Sequence, residues 1–249
     1  MSVNTSLAGK TALVTGGARG IGAGIVRALA AEGATVALTY SSSEDAAETL
    51  VTEIAAAGGK ALAIRADNSD ADTARQGVRD AVDALGSLDI LVNNAGAGWF
   101  EPFTDTTDEH IETTIDLNIR GTVYTTQEAL KHLPDNGRII TIGSSSGKVT
   151  LFAGGTIYGM SKAALVGFTK GLARDLGARG ITANVIQPGP IDTDGNPADG
   201  PFGGYLAGLT ALNRFGTPAD VGGLAAWIAS DAANFMTGES ISIDAGWTA

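Results

Sequence analysis

Tyr158 and Lys162 stand four residues apart, and on a helix that spacing puts both side chains on one face. Together they can carry out acid–base chemistry on a carbonyl. A phenol ordinarily ionises near about pH 10, too high for an efficient proton donor and acceptor at neutral pH. A neighbouring ammonium stabilises the phenolate, so the spacing predicts that Lys162 draws the Tyr158 pKa down. Upstream, an apolar run ends at Gly143-Ser144-Ser145-Ser146-Gly147. A serine hydroxyl at the carboxyl edge of a parallel sheet can donate to a carbonyl held there, although a serine-rich turn needs no such role. Asn118, within Asp116-Leu117-Asn118-Ile119, is an amide in an otherwise apolar helical stretch. Buried, it needs partners; holding a water for proton relay is one use, and packing between helices is another.

A second constellation is Gly16-Gly17-Ala18-Arg19-Gly20-Ile21-Gly22, between an expected strand and an expected helix. Small residues there let the backbone approach a pyrophosphate, and the helix start supplies free N–H groups. A tight turn packing helix on strand would use the same glycines. Arg19 lies inside the loop, and Ser41-Ser42-Ser43 follow the second expected strand, where a dinucleotide site selective for NAD usually offers a carboxylate. Hydroxyls without an acid, with an arginine able to neutralise a 2′-phosphate, favour NADP(H).

The elements that must position these residues alternate along the chain. Strands are expected at 11–15, 35–39, 60–65, 90–92, 138–143, 182–187 and 240–244. Helices are expected at 21–31, 44–57, 70–85, 107–133 (with Thr106-x-x-Glu109 as a capping box), 158–178 and 218–228. The stretch from Pro188 to about Gly204 is rich in Gly, Pro and Asp and reads as irregular. Strand–helix alternation with short turns implies parallel βαβ units, an α/β fold with helices on both faces of one sheet. No linker divides the 249 residues, so 1–249 reads as a single domain.

Composition narrows the function further. The chain is 44% hydrophobic and carries a net charge of −11 with no basic run, which argues against a nucleic-acid partner. It has no cysteine and only two histidines, His110 and His132, so thiol chemistry and a His/Cys metal site are excluded. No run approaches the length of a membrane span, and Met1 to Lys10 is polar without a signal-like core. A cytoplasmic protein is expected.

In order, Thr15-Gly16-x3-Gly20-x-Gly22, Asn93-Asn94-Ala95-Gly96, Asn118, the serine turn, Tyr158-x3-Lys162 and Pro188-Gly189 resemble the motifs of the short-chain dehydrogenase/reductase family across essentially the whole chain. The resemblance implies a single-domain, doubly wound Rossmann fold with a seven-stranded parallel sheet, assembled as a homotetramer. It implies that Tyr158 is the general acid in reduction, and that Lys162 lowers its pKa and bonds the nicotinamide ribose. A serine orients the carbonyl, and Asn118 holds a water of the relay. Gly16, Ala18, Arg19, Gly20, Ile21 and Gly22 would cradle the pyrophosphate, with Ser41 beside the adenosine ribose. Asp67 and Asn68 would contact adenine. Asn94, Ala95 and Gly96 would line the ribose cleft. Pro188, Gly189 and Ile191 would meet the nicotinamide, the last through its backbone.

Counting back from Tyr158 at a common family spacing gives Ser145, whereas matching the turn to Gly147 gives Ser144, and the second is preferred. The family's substrate lid falls at about 192–213, with Phe202, Tyr205 and Leu206 as apolar contacts and Trp99, Phe100, Phe152 and Trp247 as further aromatic walls or core. A small or medium, mostly apolar ketone would suit that lining. Two alternatives stand beside a free-ketone reductase. A 3-oxoacyl-acyl-carrier-protein reductase would need a basic docking patch, of which Arg179 remains while Pro134-Asp135-Asn136 is acidic. The stretch Gln187 to Asp194 with Asn196-Pro197 also resembles cyclic-di-GMP-binding regulators of this fold that act in biofilm dispersal.

Overall fold

The computed structural model describes residues 6–249; the polar N-terminus noted above lies partly outside the described residues. Strands β1 (Thr11–Val14), β2 (Thr35–Tyr40), β3 (Lys60–Arg65), β4 (Ile90–Asn93), β5 (Arg138–Ile142), β6 (Thr182–Pro188) and β7 (Ser240–Ile243) form one sheet in the order β3-β2-β1-β4-β5-β6-β7. Every pairing is parallel. Helices α1 (Gly20–Ala31), α2 (Glu44–Ala56), α3 (Ala71–Leu85), α4 (Asp108–Ile115), α5 (Gly121–Ala129), α6 (Thr156–Leu176), α7 (Gly203–Gly208) and α8 (Pro218–Ala229) make the crossovers.

Strand residues alternate between two cores, as the period of two requires. Ala12, Val14, Val36, Leu38, Ile90 and Val92 pack under α1, α2 and α8 with Ile25, Leu29, Leu50 and Val221. Leu13, Ala37, Leu91 and Ile139 face the other way, against Val78 of α3, Ala129 of α5, Leu172 of α6 and Leu133 just beyond α5. Both faces are therefore covered, and the strands read as apolar runs. The strand order reverses between β1 and β4, which leaves a crevice at their carboxyl ends.

Three expectations need correction. The long helix at 107–133 is interrupted: α4 and α5 are joined by one turn of π-helix, Asp116–Arg120. Its cap is Thr107, whose hydroxyl accepts from the His110 N–H at 3.2 Å, and not Thr106, whose hydroxyl donates to the Pro102 carbonyl. The irregular stretch after β6 contains the short helix α7. Helix α8 does begin at Pro218, behind a reciprocal capping box between Thr217 and Asp220. Among the described residues no helix is long and apolar enough to cross a membrane.

Candidate active site

The loop from β1 to α1 is shaped by glycine. Gly16 and Gly20 take φ of 60° and 51°, a region that side chains disfavour. A Cβ on Gly22 would lie 2.3 Å from the Gly16 carbonyl oxygen and 2.6 Å from the Asn94 amide nitrogen, so α1 can begin this close to the strand only without one. Asn94 secures the loop by donating to the carbonyls of Thr15 at 2.9 Å and Gly16 at 3.0 Å. The N–H groups of Asn94 and Ala95 reach back to the Thr15 hydroxyl at 2.9 and 3.0 Å. Arg19 is the N-cap of α1, in extended backbone, and its side chain makes no capping bond. The first-turn N–H groups and the positive helix end are left to the crevice, which suits an anion.

A cleft of about 670 Å³ follows the carboxyl ends of the strands. At its β2–β3 end stand Arg19, Ser41, Ser42, Ser43, Asp67 and Asn68; at its β5 end stand Phe100, Gly143, Tyr158 and Lys162. Gly16, Ala18, Gly20, Ile21, Gly22, Asn94, Ala95 and Gly96 line the stretch between. Arg19 is exposed and makes no ion pair among the described residues. The acid nearest the end of β2, Glu44, begins α2 and accepts from the Tyr40 hydroxyl at 3.3 Å. Asn68 is buried, its side chain shared between Thr39 and Thr125, so it offers the cleft mainly backbone. Pro188, Gly189 and Ile191 are not among the residues that line this cleft. In their place Thr193 to Asn196 border the cleft, with the Thr193 methyl 3.3 Å from where a Gly20 Cβ would be. These four residues belong to the segment, about 192–213, that the family resemblance marks as a substrate lid.

Tyr158 and Lys162 lie in the first two turns of α6. Lys162 is 4% exposed, and its Nζ donates to the Ile142 carbonyl at 3.0 Å; burial draws its ammonium down to about 8. Burial pushes the Tyr158 phenol up, and a hydrogen bond with the Ser144 hydroxyl pulls it back. Burial is the larger influence on the phenol here, and Lys162 Nζ stands 5.8 Å from the Tyr158 ring centroid.

Ser144 and Ser145 point to different partners. Ser144 bonds Tyr158, and its Oγ accepts from the Ser146 N–H at 3.1 Å, capping a single 3-10 turn. Ser145 points the other way, toward the Gln187 carbonyl at 3.5 Å and the Asp244 carboxylate at 3.4 Å. Asn118 is fully buried inside the π-turn, within reach of α6 through Ser161 at 2.9 Å. Around Tyr158, Phe100 sits at 5.1 Å between ring centroids, Phe152 lies 5.7 Å beyond it, and Trp247 meets Phe152 edge-on at 6.2 Å. Trp247 is core, 6% exposed, whereas Trp99, Phe100, Phe202 and Tyr205 remain exposed.

A family model described as enoyl-(acyl-carrier-protein) reductase matches residues 16–248. The chain belongs to the short-chain dehydrogenase/reductase family. The family's relatives reinforce the fold: a short-chain dehydrogenase/reductase from Serratia marcescens is 48% identical, with a TM-score of 0.96 over 98% of this chain and 99% of that one. A short-chain dehydrogenase from Burkholderia cenocepacia, solved in complex with NADP, is 44% identical with a TM-score of 0.96 over 98% and 99% of the two chains. Among curated proteins, the cyclic-di-GMP-binding biofilm dispersal mediator of Escherichia coli K12 is 45% identical over 97% of this chain and 98% of its own.

Proposed function

We propose that this oxidoreductase is an NADPH-dependent carbonyl reductase that converts the ketone of a small or medium, mostly apolar substrate to a secondary alcohol. The observation that carries this reading is the meeting of Tyr158, bonded to Ser144, with Lys162 at one end of a cleft whose other end presents Arg19 and three serines. The glycine cradle fits a dinucleotide, because added Cβ atoms would close it. The 2′-phosphate of NADP is matched by Arg19, which is exposed and without an ion pair among the described residues, and the NADP complex of the Burkholderia relative supports the same choice.

When bound, the dihydronicotinamide supplies hydride to the carbonyl carbon. The Ser144 hydroxyl donates to the carbonyl oxygen, and Tyr158 Oη delivers its proton there as charge develops. Lys162, charged below about pH 8 and buried 5.8 Å from the Tyr158 ring centroid, stabilises the resulting phenolate. The Asn118 carbonyl, which accepts from the Thr122 hydroxyl at 2.9 Å, keeps a lone pair for a water that returns the proton to Tyr158. Pro188, Gly189 and Ile191 back the nicotinamide end, and residues 192–213 close over the substrate. The whole chain acts as one domain, assembles as a homotetramer and works in the cytoplasm.

The test is oxidation of NADPH and NADH against a panel of small ketones, beside Tyr158→Phe. Turnover with NADPH that the variant loses supports the reading; NADH preference or Tyr158-independent turnover defeats it. A second reading, a cyclic-di-GMP-binding regulator, is favoured by the Escherichia coli relative and is tested by calorimetric titration of the dinucleotide. Docking of an acyl carrier protein is disfavoured, because Arg179 is spent on Asp135 at 3.2 Å and on the carbonyls of Leu130 and Leu133.

A further inference from the structure

Gln187 of β6 reaches beneath the turn that carries Ser144. Its side chain is fully buried; Oε1 accepts from the Ser144 main-chain N–H at 2.6 Å, and Nε2 donates to the Ser240 hydroxyl of β7 at 3.2 Å. The orientation of the amide is forced, since a main-chain N–H can only donate. The β5–β6 ladder ends at Ile142 opposite Ile186, and Gly143 makes the last main-chain bond, to the Ile186 carbonyl at 2.8 Å. One residue further on, a side chain takes over from the ladder. Space is reserved for it: a Cβ on Gly143 would lie 2.2 Å from Gln187 Oε1 and 2.8 Å from its Cδ.

We infer that Gln187 is a positioning residue for the Ser144 hydroxyl, the group that orients the substrate carbonyl in the reductase reading on which this inference rests. Ser144 is held at two points. Gln187 fixes its main-chain N–H, and the Ser146 N–H occupies a lone pair of its Oγ. What remains free is the hydroxyl proton, for Tyr158 or a carbonyl. Without the Gln187 anchor, Ser144 can turn about its backbone, and both the bond to Tyr158 and the alignment of the carbonyl are lost.

Two variants remove the anchor from opposite sides. Gln187→Leu deletes the acceptor, and Gly143→Ala pushes the side chain off the Ser144 N–H. Gln187→Glu, neutral when buried, keeps both the acceptor and a donor to Ser240. In the first two, kcat for ketone reduction falls by about 10- to 100-fold, the scale for a misplaced catalytic group, while the dissociation constant for NADPH is unchanged; Gln187→Glu restores most of kcat. The second readout needs neither cofactor nor turnover. Phenolate absorbance is titrated in each protein as the difference from the same protein carrying Tyr158→Phe. Loss of the Ser144 bond moves the Tyr158 ionisation to higher pH in Gln187→Leu and Gly143→Ala, and not in Gln187→Glu.

An unmoved Tyr158 titration, or losses of NADPH binding and melting temperature that parallel the loss of kcat, would make Gln187 a strand tie and overturn the inference. If Gln187→Leu does not fold, the comparison of Gly143→Ala with Gln187→Glu decides. A wild-type protein without Tyr158-dependent turnover overturns the reductase reading instead, and the titration shift then still reports whether Gln187 sets the Ser144–Tyr158 contact.

Discussion

Asn118 and Ala97 exchange hydrogen bonds in both directions: Asn118 Oδ1 accepts from the Ala97 N–H at 2.9 Å, and Nδ2 donates to the Ala97 carbonyl at 2.8 Å. With a further bond to Ser161 at 2.9 Å, the side chain has little left for a water. Its work is to clamp the segment after β4 onto α6, and the π-turn is the local cost of aiming it there. In the reductase reading proposed above, a relay water would therefore be left to its main-chain carbonyl.

Asn118→Ala leaves the part-buried main-chain groups of Ala97 and the buried Ser161 hydroxyl short of partners. The expected loss is about 2–3 kcal/mol of unfolding free energy, read from urea denaturation, together with a fall in kcat. Asn118→Asp keeps the acceptor and should lie between. Wild-type stability in the alanine variant would show that the clamp is idle.

Tyr158→Phe keeps the ring against Phe100 and removes the proton donor. Ketone reduction should drop by about 10²–10⁴-fold with NADPH affinity, measured by fluorescence titration, retained.

Cofactor choice is expected to hinge on Arg19. Arg19→Ala should raise the KM for NADPH by about tenfold, the scale of one charge-assisted contact to phosphate, and leave the KM for NADH nearly unchanged. Equal effects on both would place Arg19 outside the 2′-phosphate site.

The buried lysine gives a stability signature. Lys162 ionises at about 8 in the folded chain against an ordinary 10.5. Between those values the unfolded chain holds the extra proton, so this group makes stability rise with pH, whereas below about pH 8 the fold bears the full cost of burying the charge. The difference in unfolding free energy between wild type and Lys162→Met should therefore change across that window and flatten below it. A difference that stays flat throughout would show that Lys162 is not desolvated as the structure has it.

Gly22→Ala forces a Cβ into the Gly16 carbonyl and the Asn94 amide. The expected cost is about 1–3 kcal/mol of stability, with NADPH affinity down by more than the stability loss would explain, as seen by comparing thermal unfolding with and without cofactor.

Local spacing made much of this molecule legible. The strands and most helices follow apolar periods, and Tyr158 with Lys162, or Gly16 with Gly22, declare themselves within one or two turns of chain. The features that escaped depend on distant partners. Nothing between Thr107 and Leu133 announces the π-turn, because its reason is Ala97, 21 residues before Asn118. Gln187 carries no local mark, since its acceptor role is set by Ser144, 43 residues away. Ser144 and Ser145 are chemically identical in sequence, and only the alternation of faces at the end of β5 separates them. The burial of Lys162 escaped for the same reason: its spacing from Tyr158 is local, but the Ile142 carbonyl it bonds is 20 residues away.

Strand β1 is the first strand of the chain and lies in the interior of the sheet. One edge pairs early with β2, Thr11 opposite Thr35, but the other waits for β4, where Ala12 meets Ile90. A nascent chain halted before β4 therefore carries an apolar strand with one edge open, the kind of edge that recruits other chains. Closure across so long a loop is slow. The hazard for this protein thus falls during synthesis and refolding, and passes once β4 has docked.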